Sequence, residues 1–344
     1  MPTRPRALLA CSLLLVLAAS GCGRIADWVI GRNLRRVDRS VLKSPDLTVV
    51  LCGTGSPIPD RTRAGACTAV VAGGELFLVD VGPGAWETVD LANLPTEALS
   101  AILLTHFHSD HIGDLGEAVT QSWIAGRSRP LDVYGPVGVV QVVTGFRMAY
   151  AADVGYRVTH HGEQYMPHVA GIPVAHEVAL GNDPAASAVV FERNGLTVTM
   201  FRVDHRPVEP AVGYRFDYHG RSVVVSGDTK RSESLIQHAK GADVLVHEAL
   251  QPAMMTRVAA VARKLGRDRL AKMALDTIGY HTSPADAAAV ARDAGVHRLV
   301  LTHMVPPPNN VLARRLFTQG MGGIFSGEVT LGEDGMRIAL PPRS

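Results

Sequence analysis

A dominant charge of either sign is missing from this 344-residue chain, in which 34 basic residues stand against 32 acidic ones. Without a basic excess, little counter-ion release is available to drive binding to a polyanion. Composition therefore argues against a nucleic-acid partner held by a basic surface. No apolar stretch is long enough to span a bilayer either. The most apolar one, Ala7 to Ala19, falls short of the roughly 20 residues that a membrane helix needs. Cysteine is scarce, at four residues (Cys11, Cys22, Cys52 and Cys67), too few for a disulfide framework to define the fold. Short-period repeats and low-complexity tracts are absent beyond the N-terminal segment, which sets aside solenoid and compositionally disordered readings.

What is present looks like an ordinary globular protein, with 47% hydrophobic and 19% charged residues. The length permits a single α/β domain. At the N-terminus, Arg4 and Arg6 precede the apolar run, and Ala19-Ser20-Gly21 leads into Cys22. A short basic start, about a dozen apolar residues and small residues at the end make up an export signal. The last four residues resemble a bacterial lipoprotein box, in which Cys22 is acylated and becomes the new first residue; Ala19 stands where leucine is usual. A plain secretory signal or a buried apolar segment are the alternatives. The expected organisation is a signal over residues 1–21, a tether over 22–45 and a folded domain over 46–344. Cys22 would hold that domain on the membrane, on the periplasmic side of the cell envelope. Removing the signal takes away Arg4 and Arg6 and no acid, leaving 32 residues of each sign. Cys52 and Cys67 could pair in an oxidising compartment, but read more simply as small buried residues at strand ends.

Strand patterns occur at Leu47–Leu51, Ala69–Ala72, Leu76–Val79 and Ile102–Leu104, with Gly73-Gly74 as a hairpin signal between the second and third. Further strands are expected at Thr197–Val203, Val212–Phe216, Ser222–Val225, Val244–Val246 and Leu299–Leu301. Helical patterns cover His111–Ile124, Ser232–Lys240, Pro252–Leu265 and Pro284–Ala294, the last opened by Thr282-Ser283 before Pro284. Strands joined by turns, then strands alternating with helices, describe an α/β fold of two sheets sandwiched between helices. Gly155 to Asn194, with His160, His161, His168 and His176, reads as an irregular insertion.

Chemistry concentrates in His106-Phe107-His108-Ser109-Asp110-His111, four ligand-type side chains within six residues directly after a strand. In extended backbone His106 and His108 point the same way and can share one ion. Asp110 and His111 follow where the chain turns into a helix and can address a second. Zinc suits imidazole and carboxylate donors and leaves a position for water in catalytic sites. The bland alternative is a polar turn that caps a helix.

Thr105 to His111 resembles the histidine motif of the metallo-β-lactamase superfamily, a likeness that runs from Leu47 to about Ile338. It implies an αββα sandwich, two mixed sheets flanked by helices, with two zinc ions at one edge. On that resemblance His106, His108 and His205 hold one zinc, and Asp110, His111 and His303 the other. Asp228, within Ser226-Gly227-Asp228-Thr229, bridges both. His160 and His161 are rivals for the place of His205. Gly53-Thr54-Gly55-Ser56-Pro57, Arg63-Ala64-Gly65, Val79-Asp80-Val81-Gly82-Pro83-Gly84 and Gly213-Tyr214-Arg215 resemble the ribonuclease Z branch and its arylsulfatase-like and cyclic-nucleotide phosphodiesterase relatives. His247-Glu248-Ala249 and His281-Thr282-Ser283 are similar to motifs in which a glutamate orients a histidine that protonates the leaving oxygen. Asp110, Glu248 and His281 are thus the catalytic candidates, and His247 is assigned a structural role.

The same family also sets a contrast. Only residues 206–227 separate His205 from Asp228, too few for the tRNA-gripping arm that bacterial ribonuclease Z inserts there. The sequence thus points to hydrolysis of a small or medium phosphodiester, without a nucleic-acid partner and, by the habit of relatives, in a homodimer. Sulfate-ester hydrolysis and a non-catalytic metal-binding lipoprotein are the alternatives.

Overall fold

The computed structural model describes residues 23–31 and 37–343. The signal expected over 1–21 and the lipidation of Cys22 lie outside the described residues. Two compact units divide the chain, Met1–Asp38 and Arg39–Ser344. In the first, residues 23–31 form a helix. No helix among the described residues is long and apolar enough to cross a membrane.

The second unit holds fourteen strands in two sheets of seven among the described residues. Strands β1 (Leu47–Gly53), β2 (Cys67–Ala72), β3 (Glu75–Val79), β4 (Leu99–Leu103), β5 (Leu131–Pro136) and β6 (Pro173–Val178) follow one another across the first sheet, and β14 (Arg337–Leu340) closes its far edge. Strands β7 (Ser187–Arg193), β8 (Leu196–Arg202), β9 (Val212–Tyr218), β10 (Arg221–Val225), β11 (Val244–Leu250), β12 (Arg298–Val305) and β13 (Glu328–Leu331) run in order across the second. Each sheet is half antiparallel and half parallel: β3 to β6 pair parallel, as do β10 to β13.

The near-continuous apolar strands follow from burial on both faces. In β1, Leu47, Val49 and Leu51 pack between the sheets with Phe77, Met200, Phe216 and Val246. Val50 and Cys52 point the other way, into a layer with Leu78, Trp86, Leu115 and Ala118. A third layer joins the far face of the second sheet to helix Pro284–Ala294 through Leu245, Leu299, Ala287 and Ala291. Helices outside, two sheets inside: the expected αββα sandwich is what forms.

Three readings of the sequence need correction. Gly155 to Asn194 is largely regular: it contributes the end of a 23-residue helix, Val139–His161, then β6 and β7, each an edge strand of one sheet. That helix carries apolar residues on every face and buries few of them, so it shows no amphipathic period. Cys52 and Cys67 are not merely buried but joined in a disulfide, their Cα atoms 4.9 Å apart across the first hairpin partner of β1. The domain also starts before Asp46: Arg39–Lys43 is a 3₁₀ turn whose Val41 is buried in the layer beneath β1.

The disulfide closes a separation of 15 residues, a loop whose closure is worth about 3 kcal/mol in the chain-entropy account. Replacing both cysteines by alanine should lower unfolding stability by roughly 2–4 kcal/mol in urea titration. A double variant as stable as the parent would show that the bond contributes nothing.

Candidate metal centre

The sandwich edge where the two sheets meet is built by strand ends. Beyond β4, Thr105 accepts the Val212 N–H at 3.0 Å through its carbonyl, and the Tyr214 hydroxyl donates to the Leu104 carbonyl at 2.8 Å. These contacts bring the His106 loop of one sheet against β9 of the other. His205 follows β8, Asp228 follows β10, Glu248 sits within β11 and His303 within β12. Two glycines permit the approach. A Cβ on Gly82 would lie 2.0 Å from the Asp110 carbonyl oxygen, and one on Gly227, at φ +60°, 2.6 Å from that of Val212.

All seven expected ligands converge. Donor atoms of His106, His108, His205 and Asp228 form one group within 4.8 Å, and those of Asp110, His111 and His303 another. Asp228 Oδ2 stands between them, 3.8 Å from His106 Nε2, 3.9 Å from His205 Nε2, 3.4 Å from His111 Nε2 and 3.5 Å from His303 Nε2. Around the second group, Asp110 Oδ2 is 3.7 Å from His111 Nε2 and 3.1 Å from His303 Nε2. Zinc bonds of about 2.0–2.2 Å imply donor–donor edges of about 3.3–3.6 Å in a tetrahedron, so these spacings fit a shared ion. Among the described residues His111 Nε2, His205 Nε2 and Asp228 Oδ1 are buried without a hydrogen-bond partner, and orphaned polar atoms of that kind are what a cation would satisfy. His160 and His161 lie exposed at the end of helix Val139–His161, apart from both groups.

Electrostatics divides the histidines. Burial pushes His106, His108 and His205 below the usual imidazole range, leaving neutral rings suited to ligation. For His111 burial acts in the same direction, but the carboxylates of Asp228 and Asp80 outweigh it and hold its pKa well up. Burial likewise opposes the charge on Asp228, and the facing His303 and His111 overcome it, so the carboxylate is held well below its usual range.

Asp80 is the residue that sequence reasoning quoted without assigning a role. It follows β3 at φ +58°. Its Oδ1 accepts the Thr105 N–H at 2.8 Å, and its Oδ2 accepts the Thr105 hydroxyl at 2.7 Å and His111 Nδ1–H at 2.8 Å. That bond fixes the tautomer of His111 and turns Nε2 toward Asp228. His205 is oriented in the same manner, with Nδ1–H donating to the Tyr280 carbonyl at 2.9 Å. A carboxylate just after a strand that leads to no ligand of its own was the available signal.

Glu248 and His281 meet as expected. His281 Nδ1–H donates to Glu248 Oε1 at 3.1 Å, and the same oxygen accepts the N–H groups of Thr229 and Thr282 at 3.2 and 3.0 Å. His281 Nδ1 is 4.0 Å from Asp228 Oδ2. Burial would lower the pKa of His281, but Glu248, by charge and hydrogen bond, and then Asp228 push it up to about 9. The Tyr280 ring stands edge-on to His205 at 5.2 Å and leans on His281 at 4.9 Å. His247 is fully buried, with Nδ1–H donating to the Glu248 carbonyl at 2.7 Å. Ser283 caps helix Pro284–Ala294 by accepting the Asp286 N–H.

Replacing Asp80 by asparagine should weaken metal retention roughly 10–100-fold in competition with a chelator, while the far-ultraviolet dichroism stays as in the parent. Unchanged retention would remove Asp80 from the site.

Known proteins place this architecture. A family model described as a β-lactamase superfamily domain matches residues 76–304. The ribonuclease Z of Mycobacterium bovis (strain BCG / Pasteur 1173P2) is 39% identical over 303 residues, covering 86% of this chain and 99% of that protein. Among solved structures, the short form of human tRNase Z aligns at TM-score 0.61 and 24% identity over 86% of this chain and 99% of the other. The metallo-β-lactamase fold protein YhfI of Bacillus subtilis aligns at 0.59 and 21%, over the same shares. These two structures are alike in fold; the mycobacterial protein is alike in sequence along nearly its whole length. This chain belongs to the β-lactamase superfamily and, within it, to the metal-dependent hydrolase family of these ribonuclease Z proteins.

Proposed function

We propose that this chain is an exported, membrane-anchored phosphodiesterase that uses two zinc ions to hydrolyse a small or medium phosphodiester. The observation that carries the reading is the Glu248–His281 pair beside the buried ligand set. A proton donor at that place serves an ester whose leaving oxygen is too basic to depart unaided.

In this reading His106, His108 and His205 would hold one ion, Asp110, His111 and His303 would hold the other, and Asp228 would serve both. Imidazole and carboxylate donors favour zinc. Two divalent ions held there supply an activated water at neutral pH and offset charge on the attacked group. His281 presents Nε2–H to the leaving oxygen, because its Nδ1–H is committed to Glu248. Glu248 is itself held by two backbone N–H groups, so the imidazole keeps one orientation through proton transfer. The Tyr280 ring packs against both His205 and His281.

The relatives' name refers to RNA, yet two features favour a smaller substrate. Residues 206–227 are taken up largely by β9, β10 and their turn, which leaves no arm for a folded RNA. Charge is balanced once the segment before Cys22 is removed, so polyanion binding lacks its usual driving term. Export is supported by the Cys52–Cys67 disulfide, a bond that reducing cytosol disfavours, and by the N-terminal sequence pattern.

The test compares bis(p-nitrophenyl) phosphate with p-nitrophenyl sulfate, and the parent with His281→Ala. Diester turnover is expected. The variant should lose roughly 10²–10⁴-fold on alkyl leaving groups, much less on p-nitrophenolate, with metal content unchanged. Sulfate turnover alone would replace the substrate class, and equal rates of parent and variant on both leaving groups would remove the general acid.

A further inference from the structure

We infer that the helical hairpin over residues 252–276 is a membrane-contact surface, whose free end binds anionic phospholipid head groups and seats apolar side chains among them. The inference rests on the reading above only for the presence of a bilayer.

Two helices, Pro252–Lys264 and Asp268–Asp276, make the hairpin, and Gly266 turns the chain between them at φ +69°. They pack on each other through Met255, Ala259, Ala262, Ala271 and Ala274. Leu250 and Val305, the last residues of β11 and β12, complete that cluster at the base. The hairpin is therefore rooted in the strands that carry Glu248 and His303, and the chain leaving its second helix runs on to Tyr280 and His281. Its free end has a second apolar set. Val261 and Leu265, one turn apart on the first helix, are 55 and 68% exposed; Leu270 and Met273, one turn apart on the second, are 44 and 56% exposed. With the alanines already turned inward, packing within the protein makes no use of these four side chains, and a cluster of this kind marks a contact surface.

Charge selects the occupant. Between residues 252 and 279 six basic residues stand against two acids, Asp268 and Asp276, whereas the chain as a whole has 34 and 32. Lys272 is paired with Asp276 at 2.7 Å. Arg257, Arg263, Lys264, Arg267 and Arg269 are exposed and enter no ion pair among the described residues. Arginines elsewhere commonly meet an acid, as Arg193 meets Glu75, Arg221 meets Asp243 and Arg231 meets Asp293. Unpaired cations gathered on one hairpin complement an anionic surface. The interleaved apolar side chains choose lipid over nucleic acid: a leucine among head groups leaves water, whereas beside a phosphate backbone it stays wet. No aromatic ring occurs between residues 252 and 279 to stack on an unpaired base.

The test uses the chain from residue 22 with Cys22→Ser, so that neither the apolar run before it nor an acyl chain contributes, and vesicles of phosphatidylcholine with or without phosphatidylglycerol. Co-sedimentation with the anionic vesicles is expected, and it should weaken as salt is added. Lys264→Glu with Arg267→Glu should reduce binding roughly tenfold or more. Leu265→Ser with Leu270→Ser should reduce it roughly tenfold. All four side chains are exposed, so the thermal transition of both variants should match that of the parent. No binding by the parent, or equal binding by the parent and either variant, would overturn the proposal. Preferential binding of a labelled single-stranded RNA, lost in the charge variant and kept in the leucine variant, would also overturn it and make the hairpin a nucleic-acid surface. Vesicle binding is read without turnover, so a failure of the diesterase reading leaves this result decisive.

Discussion

A carboxylate buried among five histidines cannot be left without a cation. Asp228 is 2% exposed, and its Oδ2 lies within 4.0 Å of nitrogen atoms of His106, His111, His205, His281 and His303. Taking such a charge out of water costs several kcal/mol unless an opposite charge and good hydrogen bonds replace the lost solvent. Of these five rings, His106 and His205 are pushed toward neutrality by burial, so those two offset little of the charge. Divalent cations held by the two ligand groups would satisfy the orphaned nitrogens and the carboxylate together. The sandwich can be understood as the frame that keeps this carboxylate in place.

That frame explains features which look costly in isolation. Asp80 and His303 both adopt positive φ, at +58° and +44°, a region that L-residues other than glycine visit at a cost of order 1 kcal/mol. Each lies at a strand end or kink that aims a polar side chain inward, and each is fixed by strong contacts: Asp80 by Thr105 and His111, His303 by Asp110. Gly82 and Gly227 are needed for backbone proximity rather than flexibility. Close backbone approach is found beside the ligands at Gly82 and Gly227, while β1, β2 and β3 are fully buried.

Much of this was legible in the sequence because burial on both faces writes long apolar runs. The nine strands expected from such runs all form. Those left unread, β5, β6, β7, β13 and β14, are mostly at or near sheet edges with one wet face, or open on proline as β6 does. Helix His111–Ile124 is interrupted at Gly113-Asp114, where Asp114 instead accepts the Trp86 N–H. The ligand set was readable from local order and family likeness, since His106 to His111 sit together. Asp80 was not, because its partner His111 lies 31 positions away and only the β3–β4 parallel pairing brings them together. The Cys52–Cys67 bond was hidden for the same reason: register, not composition, makes it.

The account depends on two ions sharing Asp228. The direct measurement is the metal content of protein purified without chelator, joined to a crystal structure with anomalous scattering at the zinc edge. The account predicts two zinc ions per chain, each with three of the six remaining ligands and with the Asp228 carboxylate between them. One ion or none, with the seven side chains arranged as described, would contradict it.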